Sequence, residues 1–161
     1  MPEIFRIVTY KEPSIRERSI EVPVEKITTQ KFQDFLEKFI KTFESQQNAA
    51  GLASPQCGIN QRVIVAQLSK ERKIMINPVI TKSASTTTET EEGCFSVPGV
   101  YGMVTRPKRI TVKFLDRHGR RAEMDLKNFD AVVTQHEVDH LDGVLFVDKA
   151  TEITRGDWEL K

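Results

Sequence analysis

The stretch Gln135-His136-Glu137-Val138-Asp139-His140-Leu141-Asp142-Gly143 constrains this chain more than any other. It reads His-Glu-x-x-His, and the residues before it have a helical pattern. Positions four apart lie on one face of a helix, so His136 and His140 present two imidazoles to a single point. Neutral imidazoles converging in this way suit zinc or iron(II). Glu137, next to the first histidine, is placed to handle a proton on water at such an ion. The competing reading is a surface helix that carries two histidines by chance. The chain has only 3 His, and two of them fall at this spacing around a Glu. That favours the metal.

Two histidines do not complete a site. Cys94 follows a glycine in Glu92-Gly93-Cys94-Phe95-Ser96-Val97-Pro98. A lone cysteine is commonly a small core residue, but this one offers the missing third ligand. Structural zinc sites have four protein ligands, whereas catalytic sites have three and keep a position open. One Cys with two His makes the second kind. The other cysteine is Cys57, and two are too few for a disulfide scaffold, so a reducing cytoplasm is expected.

The remaining chain reads as one domain, 1–161, which is long enough to bury a real core. Residues 1–24 carry Pro13 and Pro23 and read as an extended arm with a turn near Ser14. From Thr29 to Gln47, Phe32, Phe35, Leu36, Phe39, Ile40 and Phe43 repeat at helical spacing, with Thr28 or Thr29 as cap; this stripe is core packing. Asn48–Gly58 is a small-residue loop that lets backbone come close to something. Arg62–Leu68 and Lys73–Ile76 read as strands, with Asn77-Pro78 as a break and Ser83–Thr90 as exposed strand or loop. Arg109–Asp116 and Arg121–Leu126 form a hairpin around a turn at His118-Gly119. Asn128 and Gly143 read as the caps of the motif helix, followed by a short strand Val144–Val147 and a polar tail. Lys+Arg number 24 against 23 Asp+Glu, so net charge gives no reason to expect a nucleic-acid or acidic-membrane partner. No long apolar run is present and the N-terminus lacks a signal-peptide core.

Three segments together resemble the peptide deformylase family. That family carries Gly-φ-Gly-φ-Ala-Ala-x-Gln (φ apolar), Glu-Gly-Cys-φ-Ser and His-Glu-φ-Asp-His. The second stands complete as Glu92–Ser96 and the third as His136–His140. The first departs: Ala49 replaces its first glycine, Ala50 is a small residue at the next position, and Ser54 replaces the second alanine, while Gln56 is retained. The resemblance implies an α+β fold with small antiparallel sheets packed around a central metal-binding helix. It implies that Cys94, His136 and His140 bind the metal, iron(II) in the cell, although zinc, nickel or cobalt also suit the donors. It implies Glu137 as acid/base, with Gln56 and the Phe95 backbone N–H as oxyanion donors. The substrate implied is the formyl-methionyl end of a new peptide or nascent chain, which makes the ribosome an expected neighbour.

Phe129, Val132 and Val133 lie seven, four and three residues before His136 and share its helical face. They are expected to line an apolar pocket for a methionine side chain. Ala49, Ala50 and Gly51 are expected to hold the rest of the peptide through backbone bonds. A small Ala50 should widen the pocket. Two other readings compete: a His-Glu-x-x-His peptidase cutting internal amides, and a metal- or peptide-binding relative without catalysis. The first lacks a downstream histidine after His140; the second predicts loss of Glu137 or Gln56, and both are present.

Overall fold

The computed structural model of the chain describes residues 3–160. Its elements are α1 (Val24–Ile27), α2 (Gln30–Ser45), β1 (Gly51–Ala53), β2 (Val63–Gln67), β3 (Arg72–Ser83), β4 (Thr87–Cys94), β5 (Val97–Pro107), β6 (Arg109–Leu115), β7 (Arg121–Lys127), α3 (Asn128–Leu141) and β8 (Ala150–Arg155), with three short 3-10 turns. All strand pairs are antiparallel. They make a five-stranded sheet in the order β1-β2-β3-β6-β7 and a three-stranded sheet in the order β4-β5-β8. The mixed α/β architecture with small antiparallel sheets is the one expected. The motif helix α3 is the last helix of the chain, packed on β1, β2, β6 and β7 and touching β5 of the smaller sheet.

Strand β2 shows how the sequence dictates these layers. Side chains alternate faces along a strand. Val63 and Val65 therefore join Phe32, Leu36, Phe39 and Phe43 of α2 on one face. Ile64 and Ala66 join Ala131, Val133, Val138 and Leu141 of α3 on the other. With both faces covered, the strand is apolar from Val63 to Ala66 rather than alternating. Helix α3 is likewise buried around most of its girth, as expected of a helix enclosed by other elements. A third cluster, Val8, Ile15, Val97, Val100, Val104, Leu145, Phe146 and Val147, lies under the smaller sheet.

Several local expectations need correction. Asn77-Pro78 does not break a strand; β3 runs through it with a register shift between Ile76 and Val79. Proline lacks an N–H and is tolerated at such a bulge. Asn77 takes φ 52°, and its side-chain amide pairs with Val22, Oδ1 accepting from Val22 N–H at 2.8 Å and Nδ2 donating to Val22 O at 2.9 Å. The arm turns at Ser14 as a 3-10 helix over Pro13–Arg16. Thr29, not Thr28, caps α2, accepting from Phe32 N–H. Asn128 makes no side-chain cap; Lys127 holds the N-cap position of α3. Val144–Val147 is not a strand, since Phe146–Asp148 forms a 3-10 turn, and the polar tail supplies β8 instead. Gly143 ends α3 as expected, with φ 75° and a Val144 N–H to Asp139 O bond.

Candidate active site

Cys94 ends β4 at a tight turn into β5, and its strand brings it against α3. The Sγ of Cys94 and ring nitrogens of His136 and His140 lie within 4.8 Å of one another, a grouping able to hold a metal ion. The Cys94 Sγ to His140 Nε2 distance is 3.3 Å. Two soft-to-borderline nitrogens and a sulfur are a donor set that fits a transition metal. His140 is buried, and burial is the leading cause that holds its imidazole well below the ordinary histidine range. It is thus neutral, as a ligand must be. Neither cysteine forms a disulfide. Burial pushes the Cys57 thiol up to about 12, which makes it an inert core residue.

His136 is oriented from behind. Its Nδ1 lies 2.8 Å from Glu92 Oε1, which leaves Nε2 for the Cys94 and His140 side. Glu92 in turn accepts two bonds from Arg106, at 2.6 Å from Nε and 3.0 Å from Nη2. Arg106 also reaches Asp139 Oδ2 at 2.9 Å, and Lys149 meets Asp139 at 3.0 Å. The Arg106 side chain is only 2% exposed and that of Glu92 only 6%. Burial opposes the Glu92 charge, yet the bonds from His136 and Arg106 outweigh it and hold the carboxyl at about 2. Neither Glu92, Arg106 nor Asp139 received a role from sequence. Glu92 and Asp139 stood inside recognised motifs as unexplained letters. Arg106 carried one usable signal: it continues the inward face of β5 after Val100, Gly102 and Val104.

Glu137, the next residue along α3, is buried. Its Oε1 is buried with no hydrogen-bond partner among the described residues. Burial is the main cause that lifts its carboxyl to about 7. It packs on Gly51 so closely that a Cβ there would sit 2.7–2.9 Å from the Glu137 carboxylate and Cγ. Gly51 is therefore a glycine for want of space. Gln56, in the 3-10 turn Ser54–Cys57, points its Nε2 at Cys94 Sγ, 3.5 Å away.

These groups open onto a cavity of about 540 Å3. Its walls include all six residues expected beside a substrate, Ala49, Ala50, Gly51, Phe129, Val132 and Val133, together with Gln56, Cys94, Phe95, His136 and Glu137. Val132 and Val133 are buried, with Val133 also part of the α3 core, whereas Phe129 is 60% exposed at the rim. His140 lies behind this surface. Tyr101 also lines the cavity, and its ring covers Gly93, where a Cβ would meet it at 2.5 Å. No sequence pattern had marked Tyr101.

The polypeptide deformylase family profile matches residues 4–156. The chain belongs to this family. Its members are metal-dependent hydrolases. Among curated relatives, the peptide deformylase of Pelotomaculum thermopropionicum is 42% identical over 152 residues, covering 94% of this chain and 95% of its own. That of Fusobacterium nucleatum is 39% identical over 154 residues, covering 94% and 87%. Among solved structures, the Thermotoga maritima peptide deformylase superposes with a TM-score of 0.87 at 35% identity, over 92% of this chain and 99% of that one. A class I type b peptide deformylase from Acinetobacter baumannii, solved with Met-Ala-Ser bound, gives 0.86 at 29% identity, over 92% and 99%.

Proposed function

We propose that this chain removes the formyl group from N-formyl-methionine at the start of newly made peptides, as one catalytic domain over 1–161 organised around α3. The observation that carries the reading is the convergence of the Cys94, His136 and His140 donors beside an unpartnered, buried Glu137 carboxyl in an apolar-walled cavity. Family membership fixes the reaction class. Cys94, His136 and His140 hold one divalent ion, iron(II) in the cell, with zinc, nickel or cobalt able to serve. When bound there, such an ion would supply Lewis acidity to the formyl oxygen and lower the pKa of water toward ~7.

The protein's own groups do the rest. Glu137 takes the proton of the attacking water as its oxygen bonds to the formyl carbon. The same carboxyl then gives that proton to the leaving amine as the C–N bond breaks, releasing formate. Gln56 Nε2 and the Phe95 N–H donate to the oxygen that gains charge, each such donor being worth roughly 3 kcal/mol. Glu92, braced by Arg106, keeps His136 turned with Nε2 inward. Val132, Val133 and Phe129 take the methionine side chain, and the backbone of Ala49–Gly51 pairs with the following residues by strand addition. The Met-Ala-Ser complex of the Acinetobacter baumannii protein supports a tripeptide of that composition as substrate product. The workplace is the cytoplasm near the ribosome; no helix among the described residues is long and apolar enough to cross a membrane.

The test is kcat/KM for formyl-Met, formyl-Leu, formyl-Phe and formyl-Gly tripeptides. Formyl-Met should lead, with a mismatch of methylene size costing ~1–3 kcal/mol. Formyl-Phe should be tolerated because Ala50 is small. Equal turnover of formyl-Gly and formyl-Met would show that Val132 and Val133 line no working pocket. A further outcome concerns Gly51. Gly51→Ala drives a methyl into Glu137, so turnover should fall by about 10²-fold with metal content kept. Unchanged kinetics in that variant would mean that Glu137 need not occupy its observed place.

A further inference from the structure

The Gln56 side chain is fixed at both ends. Its Oε1 accepts from the Ala53 N–H at 3.0 Å, and its Nε2 lies 3.2 Å from Ser96 Oγ. Ser96 Oγ is itself 2.8 Å from the Val8 carbonyl oxygen. A carbonyl only accepts, so the single hydroxyl proton of Ser96 is committed to Val8. The Ser96 oxygen is then left as an acceptor, and it faces the Gln56 NH2. The two ends of a glutamine amide are nearly alike in shape and are told apart by their partners. Here a flipped amide would set NH2 against the Ala53 N–H, and its oxygen against lone pairs on Ser96 Oγ and Cys94 Sγ. Of the two Nε2 protons, Ser96 takes one. The other is thereby aimed toward Cys94, 3.5 Å away, and the cavity that Gln56 lines. Gln56 is 2% exposed and Ser96 wholly buried, so bulk water does not compete for these bonds.

The N-terminal arm holds the same two residues by their main chains. Val8 N–H donates to Gln56 O at 2.8 Å, and Tyr10 N–H donates to Ser96 O at 2.8 Å. One short extended segment thus sets the spacing between the Ser54–Cys57 turn and the β4–β5 hairpin, which are forty residues apart in sequence.

We infer that Ser96 is a positioning residue for the oxyanion donor Gln56, its hydroxyl set by the Val8 carbonyl of the N-terminal arm. This rests on the role given to Gln56 above. Ser96 does not touch the reacting atoms; it determines which way the Gln56 N–H points. The experiment is a double-mutant cycle of Ser96→Ala and Gln56→Ala on the metal-loaded enzyme with formyl-Met-Ala-Ser, alongside the side-chain amide resonances of Gln56. Ser96→Ala should lower kcat about ten-fold with KM and metal content kept, and should change kcat less than about two-fold once Gln56 is already Ala. The paired Gln56 amide proton resonances, protected from exchange in the parent, should lose that protection in Ser96→Ala. Equal losses of kcat in both backgrounds would reduce Ser96 to a packing residue and overturn the inference. So would an unaltered kcat or an unmoved Gln56 amide. Should Ser96→Ala fail to fold, Ser96→Cys, of similar shape and weaker hydrogen bonding, carries the same cycle. A parent enzyme without deformylase activity would sink the functional reading instead, while the amide resonances would still decide the role of Ser96.

Discussion

Glu137→Gln should keep the fold and the metal but lose kcat/KM for formyl-Met peptides by roughly 10³- to 10⁴-fold. The amide fills the same space against Gly51 and is not one of the three donors, so nothing else in the site need move. What is lost is a group that first accepts a proton and later returns it. Gln56→Ala should be milder, roughly 10²- to 10³-fold, because one hydrogen bond to developing charge disappears while the proton route stays intact. The two variants are distinguished by rank as well as size, and near-normal turnover in Glu137→Gln would assign the proton work elsewhere. Stability gives an independent check in metal-stripped protein. Burial raises the Glu137 carboxyl from 4.5 to about 7 on folding. Its neutral form therefore favours the fold fully below pH 4.5, and that contribution is lost as pH rises through about 7. The Gln variant lacks this group, so its unfolding midpoint should not carry that loss.

Arg106→Met should destabilise the protein by about 3–5 kcal/mol, the cost of leaving a buried carboxylate without its partner. In a chain of this length that is a fall of roughly 10 °C in melting temperature. The guanidinium ties Glu92 to Asp139 from a position 2% exposed, and water has no access to replace it. The pH dependence follows from the same pair. Glu92 is held at about 2, below its ordinary 4.5, so its contribution is complete above pH 4.5 and is lost as pH falls toward 2. Removing Arg106 should blunt that acid-side slope, and adding Glu92→Gln to Arg106→Met should recover part of the lost stability. Thermal unfolding across pH measures all of this. A loss under about 2 °C for Arg106→Met would mean that the buried pair is worth little.

The Cys94, His136 and His140 grouping was legible because its members announce themselves: two of three histidines at helical spacing, and a cysteine in a glycine turn. The Phe32–Phe43 stripe and both strands flanking His118 followed from periodicity in the same way. What escaped depended on tertiary pairing. Asn77-Pro78 reads as a break by local chemistry, but an amide reaching Val22 turns it into a bulge within one long strand. The tail from Ala150 is polar because β8 is an edge strand with its side chains largely in water, so no apolar alternation marks it. Around Cys94, His136 and His140, the supporting acids and Arg106 were hidden because charge in a sequence carries no label of burial. Only the inward register of β5 distinguishes Arg106 from a surface arginine.

Strand β2 has a consequence for how this enzyme tolerates change. One layer of backbone separates the phenylalanine stripe of α2 from the helix bearing His136, Glu137 and His140. The stripe's own cluster also includes Leu52 and Cys57, the neighbours of Gly51 and Gln56. A packing defect beneath α2 has therefore only one strand's thickness to cross before it shifts the Glu137 carboxyl, and one peptide link before it shifts the Gln56 amide. Drift in the stripe, far from any substrate, is drift in the alignment of the site, and selection acting on turnover reaches residues that never meet the peptide.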